Sequence, residues 1–140
     1  MKILMTLSLL AMSYCVSAQS IAGKWKTIDD NNGKARSVVE IYEKGGKYFG
    51  KVVKLFRDEG EDPNPTCDQC KGPKKGQPII GMEIITGMEK DGDEYEDGEI
   101  LDPENGKTYD CKIWIEDGNL KVRGYLLFFY RTQTWLPAEG

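Results

Sequence analysis

The chain has 140 residues, the length of one domain, with 19 basic and 23 acidic side chains and no histidine. The mildly acidic balance argues against nucleic acid, whose phosphates call for a basic patch, and gives no sign of adhesion to an anionic membrane. The lack of histidine removes the commonest general base and metal ligand and excludes Ser-His and Cys-His catalysis.

The chain opens like a secretory leader. Lys2 supplies the positive charge, Ile3 to Met12 is a short apolar run, and Val16-Ser17-Ala18 is a small-residue cleavage signal. The run is too short to span a bilayer comfortably. Residues 1–18 are therefore expected to be a signal peptide, cleaved after Ala18, in preference to an uncleaved anchor. A lipid-modified Cys15 would want a small residue before it, and Tyr14 stands there. Loss of Lys2 takes the formal charge from −4 to −5. Residues 19–140 read as one exported domain, periplasmic or secreted, with no integral membrane segment.

From there nearly every segment has the two-residue period of a half-buried strand. Ala22 to Ile28 is the first, followed by the turn Asp29-Asp30-Asn31-Asn32-Gly33. Ser37 to Glu43 is the second, and Gly45-Gly46 predicts a tight hairpin. Lys47 to Phe56 is the third, with Phe49, Val53 and Leu55 on one face. Arg57 to Pro78 breaks the pattern. It carries four prolines and dense charge, and at about 20 residues it is longer than ordinary connections, which marks it as functional or mobile. Ile79 to Met88 resumes the alternation, with Ile80, Met82, Ile84 and Met88 on one face. Glu94 to Leu101 is a weaker, acidic strand beyond the Asp91-Gly92 turn. Lys107 to Glu116 carries Tyr109, Cys111, Ile113 and Ile115 on one face. Asp117-Gly118 then turns into Leu120 to Leu136, the run richest in β-branched and aromatic residues, which predicts the last two strands.

Eight strands joined by sequential hairpins predict an all-β, up-and-down antiparallel barrel, which removes exposed sheet edges by closing on itself. A β-sandwich is the alternative. Closure suggests a structural latch. Trp25 on the first strand would plug one end, with the Arg131 guanidinium lying across its indole, a cation–π contact of about 1 kcal/mol.

Many short motifs run through the chain: Gly23-x-Trp25, Val39-Glu40-Ile41-Tyr42-Glu43, Gly50-Lys51-Val52, Cys67-x-x-Cys70 and Pro78-Ile79-Ile80-Gly81-Met82-x-Ile84. Gly98-x-Ile100-x-Asp102-Pro103-x-x-Gly106-x-x-Tyr109, Val122-Arg123-Gly124-Tyr125 and Arg131-Thr132-Gln133-Thr134-Trp135 follow. Together they resemble a group of small secreted bacterial proteins, the domain of unknown function 2147 family, and more distantly the lipocalin and wider calycin pattern. The resemblance implies a lipocalin-like barrel in the envelope or outside the cell, and no established activity. Leu126-Leu127-Phe128-Phe129-Tyr130 departs from it, since glycine-containing sequence usually precedes the Arg-Thr-Gln-Thr-Trp string.

Cys67-Asp68-Gln69-Cys70 is the sharpest chemical feature. An oxidising compartment favours a disulfide, and Cys111, on an apolar strand face, reads as a buried inert thiol. Cys67 is therefore paired with Cys70. A thioredoxin-type site would need a helix N-terminus, and zinc would need a second pair of ligands. The acidic run Asp91 to Glu99 lacks calcium-loop spacing. No catalytic residue, metal or cofactor is assigned. Leu126 to Tyr130 is too apolar for a free hairpin tip, so it should line a mouth, meet a partner or lie under the long loop. The expected function is binding of a small, partly apolar ligand by Val39, Ile41, Phe49, Ile84, Ile113, Val122, Phe128 and Tyr130, with the long loop as a lid. An envelope protein–protein interaction module is the alternative, and a redox protein is a third reading.

Overall fold

The computed structural model describes residues 19–138; the expected leader, 1–18, lies outside them. Eight strands follow in order: β1 (Gly23–Ile28), β2 (Ala35–Lys44), β3 (Lys47–Leu55), β4 (Glu83–Asp91), β5 (Glu94–Asp102), β6 (Lys107–Glu116), β7 (Asn119–Leu126) and β8 (Phe129–Pro137). Each pairs antiparallel with its sequence neighbours, and β8 returns to β1, where Trp25 faces Pro137 and Lys26 faces Leu136. The result is the closed up-and-down barrel that the alternation predicts, and not a sandwich.

The two ends of the barrel differ because their turns differ. At one end β2–β3, β4–β5 and β6–β7 are joined by two-residue hairpins. Gly45, Gly46, Asp117 and Gly118 there all have positive φ, the conformation that matches a tight turn to strand twist. The other end carries the β1–β2 turn, the long β3–β4 connection, the Pro103–Gly106 turn and the β7–β8 tip.

Side chains fill the tight-turn end. Val39, Ile41, Ile85, Met88, Ile113 and Leu120 pack there with Ile21 and Trp25. The Trp25 indole donates to the Ile21 carbonyl at 2.8 Å, which satisfies its one polar atom in a buried place. Gly50 gives this core its closeness: a Cβ there would lie 3.0 Å from Ile85 Cδ1 and 3.2 Å from Val39 Cγ1.

The Trp25–Arg131 latch is not what closes the barrel. Strand register sets Trp25 against the end of β8, while Arg131, near its start, pairs with Gly124 of β7 at the other end. Arg131 instead donates to Asp30 in the β1–β2 turn. The rest of the Arg-Thr-Gln-Thr-Trp string is divided by the pleat. Thr132 and Thr134 accept hydrogen bonds from Arg123 and Lys121, both at 2.7 Å. Gln133 and Trp135 take the alternate positions, and the Trp135 indole donates to Gln133 Oε1 at 3.1 Å.

The β3–β4 connection is longer than the predicted 57–78 break, because Ile79 to Met82 are not part of β4. It is a folded unit. Thr66 bridges Pro78, Cys67 N–H donates to Gln77 O at 2.8 Å, and Ile79 N–H donates to Pro65 O at 3.0 Å. Cys67 and Cys70 form a disulfide, as expected, with Cα atoms 5.4 Å apart and both residues buried. This corner packs on the Pro103–Gly106 turn. Cys67 Sγ lies 3.4 Å from Pro103 O, and a Cβ on Gly106 would fall 1.9 Å from Gln69 O, so only glycine permits the approach.

Candidate ligand cavity

The packed core stops partway along the barrel. On β7 the inward positions run Leu126, Gly124, Val122 and Leu120 from the long-loop end. The first three line a cavity of about 530 Å³, and Leu120 lies in the packed core. Val52, Leu55, Ile79, Ile84, Ile100 and Trp135 add apolar wall. A β-bulge on β3 places both Val52 and Leu55 on the lining: Val39 faces Val52, yet its neighbour Val38 faces Lys54.

A few polar groups interrupt this wall. The Ser37 and Thr27 hydroxyls bond one another at 2.6 Å. Tyr109 Oη accepts from Asn105 at 3.1 Å. Gln133 spends its amide oxygen on Trp135 and has its amino group left to meet an occupant. Charge gathers at the rim, where Asp29, Asp30, Arg36, Arg57, Asp102, Glu104 and Arg131 all border the opening. Arg36 pairs with Asp29 at 3.8 Å and with Glu104. Because β2 and the β5–β6 turn are not barrel neighbours, the Arg36–Glu104 pair reaches across the mouth. Burial raises the Asp102 carboxyl above its ordinary pKa, against the lowering pull of Arg36 and Arg131. The rim pairs are partly exposed, and pairs of that kind are separated at little cost.

The eight predicted wall residues divide into several groups. Ile84, Val122 and Tyr130 line the cavity. Val39, Ile41 and Ile113 face inward but belong to the packed core beneath it. Phe49 is on the outer wall, stacked on Tyr42 with ring centroids 6.1 Å apart; the face proposed for it was one residue out of phase. Phe128 projects from the β7–β8 tip, 97% exposed. Nor does the long loop cover that tip: its disulfide corner lies on the β5–β6 turn, and Phe56, Arg57, Pro65 and Ile79 are the parts of the connection that border the cavity. Sequence reasoning missed Ser37, Tyr109, Gln133 and Trp135 as lining residues. The alternation of Arg131, Gln133 and Trp135 was the available signal.

Two cysteine readings separate here. The element after Cys70 is a single 3-10 turn, Gly72–Lys74, which is too short to act as a thiolate-stabilising helix N-terminus. Cys111 is buried, and that burial pushes its thiol up to about 12.

Residues 23–136 match the family model described as an uncharacterized protein conserved in bacteria, DUF2147. The chain belongs to this family. Among solved structures, it is similar to HP1028 from Helicobacter pylori, a protein described as belonging to the lipocalin family. The TM-score is 0.72 at 18% identity, over 86% of this chain and 84% of that one. At such identity the likeness is one of fold, and it gives the barrel its class: lipocalin-like. No curated protein matches the chain.

Proposed function

We propose that this protein binds a small, partly apolar ligand in the long-loop half of its barrel, and that it does so as an exported carrier or receptor and not as an enzyme. One observation carries the reading: a cavity of about 530 Å³, apolar over the larger part of its wall, opens at one end of an otherwise packed barrel. That volume falls within the range of about 300–1,000 Å³ usual for small-molecule sites. Apolar walls with a few convergent polar groups fit a ligand whose body is hydrocarbon and whose polar end lies near Tyr109, Gln133 and the charged rim. The Ser37 hydroxyl is engaged with Thr27 and not with a base, which favours a hydrogen-bonding role over a nucleophilic one. The lipocalin-like fold is compatible with this use, though fold alone does not assign it.

The test is native mass spectrometry of protein purified from its own cells, followed by thermal melts with amphiphiles of graded chain length. A co-purifying mass, and a melting shift that grows with chain length and then stops, is the expected result. No adduct, together with no shift from any amphiphile, would sink the proposal.

A further inference from the structure

The β7–β8 hairpin ends in five consecutive apolar or aromatic residues, Leu126 to Tyr130, and all five are exposed. Phe128 is 97% and Leu127 89% exposed. The tip is unfavourable to the free protein in two independent ways. It holds large apolar side chains in water. It also holds Leu127 at a φ of 55°, a left-handed conformation that a leucine side chain resists. The other non-glycine residues at positive φ among those described are Asp97 and Asp117, and aspartate tolerates that region. Strain of this kind concentrates where a segment makes a functional contact.

The shape of the tip indicates what it contacts. It is convex, and its side chains leave both faces of the hairpin, so a flat protein wall would cover one face and leave the other wet. A fluid apolar phase covers both. The chemistry then changes in order along the hairpin. Behind Leu127 and Phe128 come Tyr125 and Tyr130, ring centroids 6.0 Å apart. Next the Arg123 guanidinium lies 4.5 Å from the Tyr130 ring and 4.9 Å from Trp114, and Arg131, partly exposed and paired with Asp30, follows Tyr130 on β8. Apolar tip, aromatic collar and cationic ring follow the order of acyl chain, headgroup boundary and phosphate at a bilayer surface. Arg131 is three steps along the chain from Phe128, roughly 10 Å of strand, which matches the roughly 5–10 Å to which interfacial segments sink.

We propose that the β7–β8 tip inserts into the surface of a lipid bilayer and holds the cavity mouth against it. Leu126, Phe129 and Tyr130 also border the cavity, so docking by the tip places the opening beside the lipid. The rim carboxylates Asp29, Asp30, Asp102 and Glu104 lie at the same end. Arg36, Arg57 and Arg131 on the same rim leave it close to neutral, and the chain as a whole carries a net charge of −4, so the partner is a bilayer of zwitterionic lipid. This inference stands apart from what the cavity holds, since vesicle binding and ligand binding are read separately.

The experiment is co-sedimentation of the purified protein with phosphatidylcholine vesicles, comparing the wild type with the double variant Leu127→Ser/Phe128→Ser. Wild-type protein pellets with the vesicles, the double variant partitions at least about ten-fold less, and added phosphatidylglycerol weakens binding. Phe128→Trp gives a second readout at a position without core contacts. Its emission shifts to the blue with vesicles and is quenched by lipids brominated high on the acyl chain. Wild-type protein left in the supernatant, or Phe128→Trp emission indifferent to vesicles, overturns the proposal. So does a wild-type dimer that the double variant converts to monomer, which would give the tip to a second copy of the chain.

Discussion

Gly124 offers a way to fill the cavity without disturbing the barrel. It lies mid-β7, facing Cys111 of β6 and Arg131 of β8, and it is absent from the positive-φ glycines. A Cβ placed there meets Tyr109 Cβ at 3.5 Å and Ile100 Cγ2 at 4.0 Å, ordinary contact distances. Gly124→Ala should therefore raise stability by about 0.4–1 kcal/mol, because alanine restricts the unfolded chain and the folded state accepts it. Gly124→Leu adds three further carbons that extend into the cavity. If they displace three methylene-sized groups of ligand at about 0.8 kcal/mol each, binding weakens by about 2.4 kcal/mol, roughly fifty-fold in Kd. The assays are denaturant melts for stability and calorimetric titration with the best amphiphile from the thermal screen. A folded Gly124→Leu protein with unchanged Kd would show that the ligand sits elsewhere. A destabilised Gly124→Ala would show that the space beside Tyr109 has been misread.

Other predictions follow from the packing. Gly106→Ala forces a Cβ onto the Gln69 carbonyl at a φ of +71°, so it should cost at least about 1–3 kcal/mol in a denaturant melt; a neutral result would mean that the disulfide corner does not rest on this turn. Stability should fall as pH rises from about 9 towards 12. Burial lifts the Cys111 thiol from 9.0 to about 12. Burial and the hydrogen bond to Glu83 lift the Tyr42 phenol from 10.0 to about 12. The unfolded chain thus gives up these protons first, and unfolding gains as they leave. Cys111→Ala should flatten the start of that slope in urea melts taken across pH. Leu127→Gly removes a left-handed leucine, and with the entropy of glycine set against it the net gain is up to about 1 kcal/mol. The same change should weaken vesicle binding, so a variant that gained both stability and lipid affinity would contradict the assignment of the tip.

The barrel was legible because its side-chain period is two and its turns are marked by Gly-Gly, Asp-Gly and Asn-Gly steps. Tyr109, Cys111, Ile113 and Ile115 share the inward face of β6 as the alternation requires, and they do so because β6 pairs with β7 without a register shift. Phe49 was misplaced where β3 has shifts against both neighbours. A bulge changes which face a residue takes, and nothing in the residue names announces one. The Trp25–Arg131 contact failed for a longer-range reason. Which residue of the last strand meets which residue of the first depends on the tilt and stagger accumulated around all eight strands. Local patterns do not carry that sum. The cavity boundary was hidden in the same way, because Val39 and Val122 are alike as letters and differ only in their height along the barrel.

The seam between β1 and β8 has a consequence for how the chain reaches its native state. Two register pairs, Trp25 with Pro137 and Lys26 with Leu136, together with the Ala138 N–H to Lys24 O bond at 3.0 Å, join the two ends of the fold. Every other strand pair can form from neighbours along the sequence, but this one joins the first strand to the eighth and waits for β8 to be made. Until then β1 and β7 each present a bare edge, and the indole of Trp135 is missing from the wall of the cavity. A chain shortened by its final strand should thus lose its closure and its binding chamber in one step, and such fragments should associate through the edges that the complete chain conceals.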